Sequence, residues 1–411
     1  MTIIVIRREE KITTYDNNTK NMKKNLDIII LFAFFMGVFT ILMYCVHIYT
    51  DMQAHIKHIV DINNNEKSYP PNFAFYWLVS ILSGFSDTYM RPVTILLMSV
   101  VSVIKYIVSK RIIAELNPSV FFEQSHSRVL NLIAISLFFC FAIPDPYSFL
   151  ILKKMYLGRF VPIVWHNSTT IMLFPFAILL FWRQLKVFES VDNLKIRDVI
   201  ILNVLVLLNI VIKPSFIFVY APVTLLFILN NIKKYSIRKA LLILTPIVTA
   251  AIIIALQYFL IYILQIGSIQ EERSSIALSY PFTVISTWIP KWYVPISLLL
   301  SFTLPIYTMI FYKEIFKFKP FIYSLHLTIT GIIISAIIIE EGPRMYHGNF
   351  GWQNVICSYL LFLSTLSFLA PKFISANSRS KKDIIALVIL TLHVLSGILY
   401  LTKIISTKSF S

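Results

Sequence analysis

The chain has 411 residues, 57% of them hydrophobic and only 14% charged, with 37 Lys and Arg against 20 Asp and Glu for a net charge of +17. Apolar runs of about twenty residues recur to the C-terminus, which is the composition of a polytopic helical membrane protein and leaves no segment long and polar enough for a separate soluble domain. The three cysteines, Cys45, Cys140 and Cys357, fall in or at the ends of apolar stretches, so no disulfide framework is expected.

Unpaired backbone is not tolerated in lipid, and the runs lack the alternation of barrel strands, so the expected fold is all-α. The first 26 residues are basic and mixed, without the apolar core and small-residue cleavage site of a signal peptide, and are expected to stay on as a cytoplasmic segment. A transmembrane unit follows over about 27–403, then a short tail over 404–411. Apolar stretches fall at about 27–49, 91–110, 128–145, 168–182, 198–212, 216–230, 240–266, 292–312, 321–339, 354–370 and 384–402, about eleven spans in all. Between the first two, residues 72–84 are apolar but too short to cross at about 1.5 Å per residue, and they predict a juxtamembrane helix.

From 198 to 230, a continuous helix would run about 48 Å, well beyond a hydrocarbon core of about 30 Å. A break is therefore required, and Lys213-Pro214-Ser215 supplies it: proline disfavours helix in the residue before it, and lysine is cheapest at a surface. Lys and Arg collect in cytoplasmic loops, and placing the N-terminus inside puts about 25 of the 37 basic residues there. The positive charge then reports topology, and nucleic acid is not an expected partner.

With that orientation, the unusual polar residues gather on the outer face, in loops spanning about 49–90, 267–291 and 340–353. In the first, Asp51, His55 and His58 stand at i, i+4 and i+7, so helical continuation aligns them on one face. That face suits a carboxylate base with an imidazole partner, and the alternative reading of the same three residues is a divalent-metal site. No metal or other cofactor is assigned. Asp61, Asp87 and Arg91 follow in or beside the same loop as further candidates for acceptor contact.

In the last loop, Glu340-Glu341-Gly342-Pro343-Arg344 runs on to His347 and Trp352. Its glycines and proline permit tight turns, Arg344 offers a fork for phosphate, and the aromatic residues can stack on a sugar or anchor in the interfacial belt. Glu341, His347 and Trp352 join the acceptor candidates. Lys213, facing outward at its proline-broken turn, can neutralise a phosphate as a point charge.

No phosphate-binding glycine loop, nucleophile elbow or zinc-protease motif occurs, so ATP-driven chemistry is not expected. The Asp51 loop, Thr-Asp-Met-Gln-Ala-His-Ile, resembles multi-pass C-type (GT-C) glycosyltransferases that take sugar from a polyprenyl-phosphate carrier. The Ser68-Tyr69-Pro70-Pro71 segment leading to a juxtamembrane helix, the outward Lys213-Pro214-Ser215 and the Glu341-Gly342 to Trp352 loop carry the same resemblance. It implies that Asp51 activates the acceptor hydroxyl and that Lys213 and Arg344 hold the lipid phosphate, with His55 orienting Asp51 or touching acceptor. Many members of that superfamily carry a second acid beside the first. Here Met52 stands in that place, leaving Asp61 or Asp87 to share the work.

The expectation is an inverting glycosyltransferase of a bacterial inner membrane, N-terminus cytoplasmic, moving sugar from a polyprenyl-phosphate donor to a surface glycan or lipid-linked acceptor on the outer face. A lipid-linked oligosaccharide flippase or transporter would place ionisable residues near mid-bilayer. A polysaccharide polymerase would share the outer site.

Overall fold

A computed structural model of the chain describes residues 26–45, 50–121, 126–264, 275–342, 345–374 and 379–407. The N-terminal basic segment, the tail beyond 407, Glu271-Glu272-Arg273 and Arg344 lie outside the described residues. The architecture is helical, with one two-stranded ribbon, and seven helices are long and apolar enough to cross a membrane.

The first is α1 (Leu26–Cys45). After it come α2 (Asp51–Asn63) and α3 (Ala74–Leu82), both too short to cross. Thr50 starts α2 through a capping box, its hydroxyl accepting from the Gln53 amide while the Gln53 side chain accepts from the Thr50 amide at 2.6 Å. In α3, Phe75, Tyr76 and Val79 are buried while Trp77, Ile81 and Leu82 are exposed, the pattern of a helix lying at the interface with one apolar face toward lipid.

The second crossing helix, α4 (Asp87–Leu116), packs on α5 (Ser127–Ser136) and α6 (Ser168–Glu189). The predicted break falls where proline demanded it: α7 (Ile196–Ile212) ends at Lys213, whose φ of −168° and ψ of 114° are extended, and α8 (Pro214–Asn230) starts at the next residue. The fourth crossing helix, α9 (Ile237–Ile261), packs on both. Next come α10 (Lys291–Ser301) and α11 (Thr303–Phe311), bent by 66° at Phe302 into one broken apolar unit. The remaining crossing helices are α12 (Lys319–Ile337), α13 (Trp352–Ile374, entered through two 3-10 turns from Met345) and α14 (Lys381–Ser406). Almost every side chain of α13 is buried, which makes it the central post of the bundle.

Each of the eleven apolar stretches thus contains a helix, but α5, α7 and α8 are short and α10–α11 is broken. Hydropathy marked these stretches by composition, whereas prolines, polar interruptions and loops set their helical lengths.

Two features went unread in the sequence. Strand β1 (Ser275–Leu278) pairs antiparallel with β2 (Ile338–Glu341), Ser275 opposite Glu341 and Leu278 opposite Ile338, tying the loop after α9 to the one after α12. Within α4, the Lys105 ammonium lies 3.5 Å from the Phe174 ring centroid, 4.0 Å from Tyr359 and 4.7 Å from Phe138. The ring faces of three elements hold it by cation–π attraction, and among the described residues no carboxylate forms an ion pair with it.

The break at Phe302 is pinned from α14. His393 donates from Nδ1 to the Phe141 carbonyl while its Nε2 accepts from the Leu304 amide at 3.3 Å, satisfying a first-turn donor of α11 that the helix itself cannot. One turn on, Gly397 touches the Phe139 backbone so closely that an added Cβ would stand 1.8 Å from the Phe139 carbonyl oxygen. Gly397→Ala is therefore expected to lower the thermal unfolding midpoint in detergent, with an overpacking cost of about 1–3 kcal/mol. An unchanged midpoint would mean that α14 sits further from Phe139.

Candidate active site

Asp51 is the first residue of α2, and the Met52 amide donates to the His166 carbonyl at 3.1 Å, docking this helix end on the loop before α6. The next residue, Asn167, caps α6: its Oδ1 accepts from the Thr170 amide and the Thr169 hydroxyl, both at 2.9 Å. Those two bonds fix which way the amide points, because an oxygen must face a backbone N–H. Its Nδ2 consequently donates to Asp51 Oδ2 at 2.6 Å, while Oδ1 also accepts from the Lys213 ammonium at 3.1 Å. Lys213 further donates to the Thr169 hydroxyl at 3.2 Å and lies 4.3 Å from the Trp352 ring centroid.

One amide thus joins the carboxylate to the ammonium. With bonds of 2.6 and 3.1 Å and the width of a single amide between them, the two charged groups stand no more than about 8 Å apart. Both groups also line one cavity, so a ligand lying there can meet the carboxylate and the ammonium together.

Two cavities meet here. The larger, about 680 Å³, is lined by Asp51, His55, Lys213, Thr169 and the apolar side chains Phe218, Ile254 and Ile261. The smaller, about 350 Å³, is lined by Asp51, Tyr156, Arg159, His166, Trp288 and Asn354. Asp51, Glu340, His347, Asn349, Phe350 and Trp352 belong to both walls. Where the larger cavity meets the C-terminal end of α9, Leu256 and Phe259 on the neighbouring surface are exposed.

Burial holds the Lys213 ammonium down from the usual lysine range to about 7, with Asp51 pulling in the opposite direction. An anion arriving beside it would favour the charged form. His55 is pushed down to about 3, chiefly by its protein surroundings and next by Lys213. It is neutral at pH 7, and its Nδ1 bonds the Ser168 hydroxyl at 2.7 Å. The hydrogen bond to the Asp51 carboxylate comes from Asn167, and His55 lines the larger cavity.

Of the other candidates, Trp352 and His347 line both cavities, and His58 and Asp61 line the larger one further along α2. Asp61 pairs with Lys67, whose hydrogen bond holds the carboxyl below its usual range. Asp87 and Arg91, at the start of α4, are exposed and line neither cavity; Arg91 stacks 6.0 Å over Tyr44. Glu341 also lines neither: in β2 successive side chains face opposite ways, so Glu340 turns inward and accepts from Asn349, while Glu341 turns outward and accepts from Ser275 at 2.9 Å. Among the described residues, no group of three or more His, Cys, Asp and Glu could hold a metal ion, so Asp51, His55 and His58 do not form the alternative metal site.

Asn167, Thr169 and Glu340 carry no role in the sequence reading. The signal for Asn167 was its place before Ser-Thr-Thr and an apolar run, a helix-start pattern that says nothing of a remote carboxylate. Compared with protein-family models, with curated proteins and with solved structures, the chain matches none.

Proposed function

We propose that this multi-pass membrane protein is an inverting glycosyltransferase that moves a sugar from a polyprenyl-phosphate donor to a glycan or lipid-linked acceptor. The observation that carries the reading is the Asp51–Asn167–Lys213 chain where two cavities meet. A base and a phosphate-binding cation are thereby held at a fixed spacing in a site of suitable volume for sugars.

In this mechanism the donor phosphate lies at Lys213, with the carrier's first isoprene units along Phe218, Ile254 and Ile261 toward the exposed apolar end of α9. An acceptor hydroxyl gives its proton to Asp51 as its oxygen bonds the anomeric carbon. The carbon–oxygen bond to phosphate breaks, the electron pair leaves with polyprenyl phosphate, and Lys213 stabilises the charge that grows there. Asn167 acts as a positioning residue, and Trp352 offers a stacking face beside the reacting sugar. Arg344 remains a proposed second phosphate contact.

A flippase or transporter would be expected to expose ionisable groups to a path near mid-bilayer. The one deep cation of α4, Lys105, is instead enclosed by rings and lines neither large cavity. The test is purified protein in liposomes containing a polyprenyl-phosphate sugar, with transfer to acceptor and release of polyprenyl phosphate measured together. Translocation of lipid-linked glycan without sugar transfer would favour the transporter.

The proposed orientation completes the reading: about eleven crossings, the third made by α5 together with the mostly buried irregular stretch after it, N-terminus cytoplasmic, in a bacterial inner membrane, with the site facing the periplasm or exterior. Single cysteines at Tyr346 and Lys313, both exposed, decide the sidedness. An impermeant maleimide applied from outside should label Tyr346→Cys and spare Lys313→Cys. The reverse pattern would place the site in the cytoplasm and remove the argument for a lipid-carried donor.

A further inference from the structure

The mechanism uses only one end of the larger cavity. The wall continues along α2, where Asp51, Ala54, His55, His58 and Asp61 all face the same space. From Asp51 to Asp61 the helix rises about 15 Å, comparable to three linked pyranose rings. A single sugar beside Asp51 would leave most of that length unfilled.

The side chains on this wall suit hydroxyl-rich ligand. His58 lines this wall but is only 5% exposed, and both its ring nitrogens are buried without a hydrogen-bond partner among the described residues, a costly arrangement that a sugar hydroxyl would relieve after a small turn of the ring toward the cavity. Burial and the nearby Lys67 hold its pKa below the usual value, opposed by Asp61, so at neutral pH the ring carries one donor and one acceptor. Adjacent hydroxyls of a sugar present the same pair. Tyr76 sets its ring edge-on to both His55 and His58, at 5.6 and 5.3 Å, and the Asp61–Lys67 ion pair closes the far end. This wall is polar, whereas the carrier tail has the apolar lining of Phe218, Ile254 and Ile261.

Resting on the proposed function, we infer that the α2 wall is an acceptor groove for an oligosaccharide of about three residues, with the sugar that receives the new linkage at Asp51 and the glycan's preceding residues running past His58 toward Asp61. The acceptor is thus a growing or completed glycan chain, and His58 determines specificity for length. It takes no part in the chemistry at Asp51.

The test uses oligosaccharides of one to five residues, size-resolved from a partial acid hydrolysate of the producing cell's surface polysaccharide, with a polyprenyl-phosphate sugar as donor. Wild-type kcat/KM should climb with acceptor length and level off near three residues. His58→Ala should lose about tenfold on the three-residue acceptor, mainly through KM, and stay within about twofold on the single sugar. His58→Gln, which keeps a donor and an acceptor, should recover part of the loss. Equal use of all lengths, or an equal loss at all lengths in His58→Ala, overturns the groove while leaving the transferase reading in place. Binding of the same ladder to protein in nanodiscs, followed by tryptophan fluorescence, separates the two ideas. If wild-type protein transfers to no acceptor, the transferase reading fails; length-dependent binding weakened by His58→Ala still supports a glycan groove, and absence of such binding removes it.

Discussion

Asp51→Asn is expected to cut sugar transfer by about 100- to 10,000-fold, the usual range for a lost general base, while donor binding survives. The substitution keeps the side chain's shape, and its amide oxygen can still accept from Asn167 Nδ2, so the junction between α2 and α6 should stay intact. What disappears is the capacity to take a proton. Asp61→Asn provides the contrast, because Asp61 is committed to Lys67 at the far end of α2 and should cost far less. Turnover, donor binding and thermal midpoint should be measured on both variants in lipid. Normal turnover in Asp51→Asn with loss in Asp61→Asn would move the base along α2, and normal turnover in both would take this helix out of the chemistry.

Lys213→Met should lower transfer by about 100-fold or more, since the charge that grows on the leaving phosphate would lose its cation in a site shielded from water. The wild-type enzyme adds a pH signature. Because the free-enzyme ammonium titrates at about 7, it is charged below that value and increasingly neutral above it. Donor KM should therefore rise with pH above 7, about tenfold per unit once Lys213 is mostly neutral, and donor binding near pH 8 should take up close to one proton. Lys213→Arg stays charged throughout and should abolish that rise even if its bulkier fork lowers the rate. A wild-type donor KM that is flat from pH 6 to 9, with Lys213→Met transferring normally, would sink the phosphate role.

Local chemistry made part of this arrangement legible. Proline after lysine at 213–214 announced a helix break with a cation at it. The i, i+4, i+7 spacing announced a polar face on α2, and the shortness of residues 72–84 announced an interfacial helix. Contacts between distant segments could not be read in the same way. Asn167 is 116 residues from Asp51 and looked like an ordinary helix cap; its second use follows from packing α6 against the start of α2. Glu340 and Glu341 are equivalent as letters, and only pairing with β1 decides which faces the cavities. Asp87 and Arg91 lay in the right loop, yet the start of α4 turns them toward the surface. Lys105 sat unremarked inside an apolar run because its stabilising partners are rings, which sequence patterning counts simply as hydrophobic.

The β1–β2 ribbon gives neighbouring side chains different freedoms to diverge. Its pairing is made by peptide groups, which every residue but proline supplies, so the hairpin-like register can persist while outward side chains such as Ser275 and Glu341 are exchanged. Glu340 has no such latitude, held as it is by Asn349 inside the wall shared by both cavities. Side chains on the rim can thus be exchanged one at a time while the Glu340–Asn349 contact beneath them stays as it is.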